Sequence, residues 1–370
     1  MLTFRSEIEA RQHIMSNYIY VDEPDTIAAD LQTQRLLGVD TEFMREKTFF
    51  AQLCLIQLAT RDQVFCVDPL TSNEMGAFWS EACSGTWVVH SGRQDIEVIS
   101  QTAHRMPAAL FDTQIAAGLL GLQPQMGYAG LVAELFSVEI PKTHTRADWT
   151  QRPLPGALLS YAAEDVEYLL PAYDILAERL EQAGRLAWAE QDSALLLDES
   201  LYATDESQAV HRLKGARNLR GRRRTAAAGL ASWRESEALR KNRPRQWILR
   251  GRVLLEIATS LPDSLQDLRR IGDMPARLVQ RAGEALLSIV AQSGNDNDYQ
   301  PPSAPNESQK SSLNSMQTVV AKIAKNLGIS AEIVASRKEL SAVIVSGKKN
   351  SRVFQGWRRE LVGEQLLEML

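Results

Sequence analysis

At 370 residues the chain exceeds what one hydrophobic core ordinarily organises and predicts two or three domains. Its 44% hydrophobic and 24% charged residues suit a soluble globular protein, and no apolar run approaches the roughly 20 residues that span a bilayer. The net charge of −5 conceals a polarity: residues 1–206 hold 13 Lys+Arg and 31 Asp+Glu, leaving 28 and 15 for the remainder, so −18 is followed by +13. A basic half of that size argues for a polyanionic partner and an acidic half with other work. The opening Met1-Leu2-Thr3-Phe4-Arg5-Ser6-Glu7 predicts no secretory leader, and Cys54, Cys66 and Cys83 lack close metal-ligand spacing. Three cysteines cannot all pair with one another, which predicts a reduced, cytoplasmic setting.

In chain order, Leu36–Asp40, Ala51–Ala59, Val64–Val67 and Trp87–His90 are short apolar runs that predict strands, with Asp62-Gln63 as a hairpin turn. Asp112–Leu120 and Leu158–Leu170 show the three- and four-residue apolar spacing of helices, with Pro171 as punctuation, and Glu178–Leu201 is helical. Strands interleaved with helices predict an α/β sheet covered on both faces, spanning residues 1–206. The second half has little strand signal. Val210–Ile289 reads as amphipathic helices broken at Gly221, Pro244 and Leu261-Pro262, a first all-α module over 207–291. Residues 293–312 are nearly free of large apolar side chains, which predicts a flexible linker over 292–315. Thr318–Leu370 is helical again and ends in the stripe Leu361, Leu366, Leu367, Leu370, a second small all-α module over 316–370.

The first strand runs into Asp40-Thr41-Glu42. Side chains on a strand alternate, so Asp40 and Glu42 share one face a few ångströms apart, where like charges repel unless a proton or cation lies between them. Hard oxygen donors so placed suit Mg²⁺ or Mn²⁺, although a solvated acidic strand end accounts for this stretch equally well. Asp95 follows a strand and a Ser-Gly turn on the first turn of the next helix, where the helix dipole alone would favour an acid. Tyr161 and Asp165 stand at i and i+4 on one helix face.

The order strand Asp-x-Glu, strand-turn-helix Asp, helix Tyr-x-x-x-Asp resembles the DEDD exonuclease superfamily in its tyrosine branch, and within it the ribonuclease D type. The segments carrying the resemblance are Gly38-Val-Asp-Thr-Glu-Phe, His90-Ser-Gly-Arg-Gln-Asp-Ile-Glu-Val, Phe111-Asp-Thr-Gln-Ile-Ala, Lys142-Thr-His-Thr-Arg-Ala-Asp-Trp-Thr-Gln-Arg-Pro-Leu and Tyr161-Ala-Ala-Glu-Asp-Val. Position 160 is Ser, so the histidine of the sister branch is absent. The resemblance implies a ribonuclease H-like fold in which Asp40 contacts two metal ions, Glu42 and Asp165 complete the coordination of the first ion, and Asp95 serves the second ion. Tyr161 would orient the attacking water, since a phenol with a pKa near 10 is a poor base at neutral pH. Two divalent ions roughly 3.5–4 Å apart can activate water and stabilise the leaving oxygen of a phosphodiester.

Around the site, Thr41, Phe43, His90, Lys142, Arg146 and Arg152 are candidate RNA contacts, with Trp149 either packed beneath them or simply a buried loop anchor. His211–Arg252 carries 14 Lys+Arg against two acids, among them Arg222, Arg223, Arg224, Arg243 and Arg245. The run Leu230-Ala-Ser-Trp-Arg-Glu through Asn242-Arg-Pro-Arg-Gln-Trp-Ile-Leu to Ile271 resembles an HRDC domain, and Ser336–Leu340 and Gly356–Leu361 resemble a divergent second copy. Trp233 and Trp247 are either core residues or stacking platforms for bases. The resemblance implies a monomeric 3′→5′ exoribonuclease that releases 5′-mononucleotides and trims precursor tRNA and other small structured RNAs. A DNA exonuclease of repair type and a non-catalytic nucleic-acid scaffold are the alternatives. Retention of all four carboxylates with Tyr161 speaks against the scaffold, and the absence of a Gly-x-x-x-x-Gly-Lys-Ser/Thr run against a helicase.

Overall fold

The computed structural model describes residues 18–72, 74–141, 147–294, 305–347 and 350–370. Six strands form one mixed sheet in the order β1-β4-β3-β2-β5-β6. They are β1 (Tyr18–Val21), β2 (Leu36–Met44), β3 (Gln52–Ala59), β4 (Val64–Val67), β5 (Thr86–Val89) and β6 (Ala109–Asp112). The hairpins β2–β3 and β3–β4 are antiparallel, while β1–β4, β2–β5 and β5–β6 are parallel. Helices α1 (Gly76–Ala82), α2 (Arg93–Ala103), α3 (Thr113–Leu119), α4 (Tyr128–Phe136), α5 (Gly156–Glu167), α6 (Leu169–Gln182) and α7 (Leu186–Ala194) interleave with and follow the strands. The expected α/β sheet is therefore present. It has two strands more than the periodicity predicts, because β1 and β6 are four residues each and the apolar run of β6 flows directly into α3.

The continuous helix expected over Leu158–Leu170 is two helices that meet at Tyr168, which leaves regular helix geometry there. Their junction rests on the sheet where β2 has no side chain: a Cβ on Gly38 would lie 3.1 Å from the Cβ of Leu169. That close approach sets α5 against the acidic end of β2. Leu158, Leu159, Ala162 and Ala163 on the inner face of α5 pack with Leu55, Cys66 and Trp149.

The basic half folds as α8 (Gly221–Lys241), α9 (Arg245–Ile248), α10 (Gly251–Ser260), α11 (Leu265–Arg270) and α12 (Ala276–Gln292) around Leu230, Leu254, Ile257, Leu268 and Leu286. The breaks fall as expected, with Asn242 and Leu261 in the left-handed region at the ends of α8 and α10. Chain segments 203–304 and 45–51, the latter the loop between β2 and β3, form this unit together. Within it, the Phe49 and Phe50 N–H groups donate to Asn242 Oδ1 at 3.0 and 3.1 Å, and the Arg245 guanidinium lies 4.4 Å from the Phe49 ring.

Beyond 305 the chain returns to the first unit, so the division differs from four successive segments. Helix α13 (Glu307–Leu327) begins with a capping box at Asn306 and Gln309, ahead of the expected linker end at 315, because the polar Asn-Glu-Ser-Gln stretch is a helix start signal. It is followed by α14 (Ala331–Val334), α15 (Arg337–Ser346) and a final helix over Gly356–Leu367 that widens at Arg359–Gly363. These elements repeat those of the basic half at one offset: 307 − 221, 331 − 245 and 337 − 251 are each 86. Gly328 and Gly347 take the left-handed caps that Asn242 and Leu261 take 86 positions earlier.

This C-terminal module is built into the sheet domain through a buried ion pair. Arg358 donates to both carboxylate oxygens of Asp192 on α7 at 2.5 and 2.7 Å, and the Trp357 indole N–H donates to the same carboxylate at 3.2 Å. Trp357 stacks on Trp188 with ring centroids 4.5 Å apart and planes 7° from parallel. Among the described residues no helix is long and apolar enough to cross a membrane.

Candidate active site

Asp40 and Glu42 lie on one face of β2, paired across the sheet with Gln57 and Leu55, and a bulge follows immediately between Glu42 and Phe43. Asp95 occupies the first turn of α2, and Tyr161 and Asp165 lie one turn apart on α5. The structure brings all five together electrically. Burial first, then the charges of Asp95, Asp165 and Glu42, push the Asp40 carboxyl well above the usual carboxylate range. Burial together with Asp165 and Asp95 pushes Glu42 up to about 8. Asp165 is pushed up to about 7 by burial, against the lowering effect of a hydrogen bond from Tyr161. Burial raises Asp95 to about 6, opposed by the hydroxyl of Thr41, which donates to it at 2.5 Å. Tyr161 is itself raised by burial and by the charges of Asp165, Glu42 and Asp40, so its phenol stays protonated at neutral pH.

Asp40, raised by the charges of Asp95, Asp165 and Glu42, and Glu42, raised by those of Asp165 and Asp95, belong to a set of hard-oxygen donors whose charge a divalent cation would offset. Among the described residues no three His, Cys, Asp or Glu side chains stand grouped closely enough to hold a metal ion by themselves. The fit therefore rests on the hard-oxygen chemistry of the set and on its convergence at the end of β2.

The neighbouring residues divide differently from the expected RNA contacts. Thr41 is buried and spends its hydroxyl on Asp95, so it supports that carboxylate and faces no solvent. His90 is turned inward, with Nδ1 2.9 Å from the Thr113 hydroxyl and Nε2 2.9 Å from the Met126 carbonyl, and burial lowers its pKa. Arg152 is likewise engaged in the fold: it pairs with the fully buried Asp68 and donates to the Cys54 and Trp149 carbonyls at 2.7 and 2.8 Å. Trp149 is the buried anchor of its loop, its ring centroid 6.4 Å from that of Tyr161. Phe43 is half-buried just past the bulge. Lys142 and Arg146 lie outside the described residues.

In the basic half, Arg245 is tied with Arg212 to the fully buried Glu235, which removes it from the free surface. Arg222 and Arg224 each donate to a backbone carbonyl, of Val290 and Leu219, while Arg223 and Arg243 are exposed without a side-chain partner among the described residues.

Two residues near the acids carried no role in the sequence. Gln57 is fully buried opposite Asp40, and neither end of its amide has a hydrogen-bond partner among the described residues. Asp112, in the Phe111-Asp-Thr-Gln run, accepts from the Ser91 and Gly92 N–H groups at 3.0 Å each and from Gln114 N–H at 2.9 Å. It thereby clamps the turn that launches α2 with Asp95 and caps α3 at once. Its own N–H donates to Ser193 Oγ at 3.0 Å, next to the Asp192 that holds Arg358. Only the motif itself signalled Asp112; nothing local signalled Gln57.

Comparison with known proteins agrees with this architecture. A family model described as a 3′-5′ exonuclease matches residues 20–181, and one described as the HRDC domain matches residues 224–290. Ribonuclease D of Acidiphilium cryptum is 35% identical over 367 residues, covering 95% of this chain and 92% of its own length. That of Pseudomonas paraeruginosa is 34% identical over 350 residues, covering 92% and 93%. Among solved structures, Escherichia coli RNase D, described as an exoribonuclease involved in structured RNA processing, superposes with a TM-score of 0.86 at 27% identity over 96% of this chain and 98% of that one. With that identity sustained through both the exonuclease and the HRDC regions, the chain belongs to the ribonuclease D family of hydrolytic 3′→5′ exoribonucleases.

Proposed function

We propose that this exoribonuclease trims the 3′ ends of precursor tRNA and other small structured RNAs, releasing 5′-mononucleotides, with Asp40, Glu42, Asp95 and Asp165 holding two divalent cations, Mg²⁺ or Mn²⁺. The observation that carries the reading is the elevation of Asp40 by the charges of all three others, with Glu42 raised by Asp165 and Asp95 in turn. Bound divalent ions would lower the pKa of water and offset charge on the departing ribose oxygen. The chain's own contribution is to hold the acids still: Thr41 fixes Asp95, and Asp112 fixes the turn before it. Tyr161, protonated and hydrogen-bonded to Asp165, is a donor that orients the attacking water and is no general base.

The 86-residue offset supports reading the C-terminal module as a second, divergent HRDC-like copy. A cytoplasmic monomer completes the proposal. Incubating 3′-extended tRNA and a matched single-stranded DNA with Mg²⁺, with and without EDTA, tests it. Stepwise shortening of the RNA that EDTA stops is expected; preference for the DNA, or shortening that survives EDTA, overturns it.

A further inference from the structure

Trp247, on α9 of the HRDC domain, is 59% exposed, the largest fraction for any big hydrophobic side chain among the described residues. Its neighbours Ile248 and Leu249 are buried, so α9 is anchored from one side and presents the indole on the other. The chain around it is cationic: between Glu237 and Glu256 there are six Lys+Arg and no acid. Four of the six are occupied, Arg240 and Lys241 by Glu237, Arg245 by Glu235, and Arg252 by Asp273. The two that flank Trp247, Arg243 and Arg250, are exposed and have no side-chain partner among the described residues.

The internal repeat shows what this position does elsewhere in the same protein. Adding 86 to 243, 247 and 250 gives Ile329, Ile333 and Ser336. Ile333 packs into the sheet domain's core cluster, its Cδ1 2.8 Å from where a Cβ on Gly118 would stand. In the C-terminal module Ile329 thus joins that module's own core, Ser336 caps α15, and Ile333 is covered by the sheet domain. In the HRDC domain the same three positions carry an exposed aromatic ring and, flanking it in the chain, two exposed arginines with no side-chain partner among the described residues, groups that suit a flat π-face and its adjacent phosphates.

We propose that Trp247, Arg243 and Arg250 form a stacking platform for single-stranded RNA, with an unpaired base on the indole and adjacent phosphates on the two arginines. The proposal rests on the reading that the chain acts on RNA, but its test needs no cleavage. Binding of the full chain to labelled oligoadenylate is measured in EDTA across a salt series. Because Trp247 is a surface residue, Trp247→Ala should melt like the parent and bind about 5- to 150-fold more weakly, the effect of losing one base–aromatic stack, while Trp247→Phe keeps most of the affinity. The dependence of log Kd on log salt should keep its slope in Trp247→Ala. In Arg243→Ala/Arg250→Ala it should flatten by about 1.4, roughly 0.7 for each lost phosphate contact on a single strand. Affinity within twofold of the parent for Trp247→Ala overturns the proposal. So does an unchanged slope in the arginine variant, or loss of self-association in place of RNA binding. Failure of the metal-site reading would show separately, as RNA bound but uncut when Mg²⁺ is restored.

Discussion

Replacing Arg358 by methionine should unseat the C-terminal module from α7. Arg358 is 2% exposed, donates twice to Asp192 and also to the Ile333 and Val334 carbonyls at 2.9 and 3.0 Å, and lies 4.0 Å from the centroid of Trp357. Methionine fills much of the same space but leaves the Asp192 carboxylate buried with only the Trp357 indole donating to it. Removing one partner of a buried ion pair costs about 3–5 kcal/mol, a large part of the about 5–15 kcal/mol that stabilises a domain. Because a multidomain chain does not unfold in one step, the suitable assay is local hydrogen exchange. Amides of 186–194 and 331–346 should exchange about 150- to 5,000-fold faster in Arg358→Met, the same energy expressed as a population of opened molecules. Neutralising the stranded acid, in Arg358→Met/Asp192→Asn, should recover part of that protection. Less than fivefold change in the single variant, or further loss in the double, would refute the assignment of this pair as the module's anchor.

Asp40→Asn should abolish hydrolysis while RNA affinity measured in EDTA stays within a few-fold of the parent; residual turnover above about 1% would remove Asp40 from the metal set. Tyr161→Phe keeps the ring against Trp149 but loses the hydroxyl, so kcat should fall about 10²- to 10³-fold with Mn²⁺ affinity preserved, the range typical of one lost preorganised hydrogen-bond donor. Equal loss of rate and of Mn²⁺ binding would make it a structural support. Asp95, Asp165 and Glu42 rise to about 6, 7 and 8, above the values near 4 of an unfolded chain, so the folded form holds protons that the unfolded form has released. By linkage the metal-free protein must lose stability as pH rises from about 4 to 8, and added Mg²⁺ should restore most at the upper end. Denaturation midpoints in EDTA test this: a Glu42→Gln/Asp165→Asn protein with an undiminished pH slope would place the effect elsewhere.

What could be read from the linear chain was local. Alternation put Asp40 and Glu42 on one face of β2, and the one-turn spacing put Tyr161 and Asp165 together on α5, as the structure has them. Helix breaks at Pro244 and Leu261-Pro262 were visible because Pro acts within a few residues. The four-residue strands β1 and β6 were too short to carry a period, and β6 merges into a helix. Arginine surroundings were hidden for a physical reason: a cation looks identical in sequence whether it faces water or, like Arg152 and Arg245, a buried acid, 84 positions away in the first case and 10 in the second. Gln57 beside Asp40 and the Asp112–Ser193 link are tertiary contacts of the same kind.

The pairing of Asp192 with Arg358 also bears on how the protein is made. The two residues are separated by 166 positions. A ribosome adding 5–20 residues per second delivers the arginine roughly 10–30 s after the aspartate. Throughout that interval α7 has its acid without a counter-ion and Trp188 without the indole that stacks on it. The loop at 45–51 waits in the same way for Asn242. The nuclease domain is therefore begun first but sealed late, and a nascent chain stalled in the HRDC region would expose an incompletely closed sheet domain to chaperones and proteases.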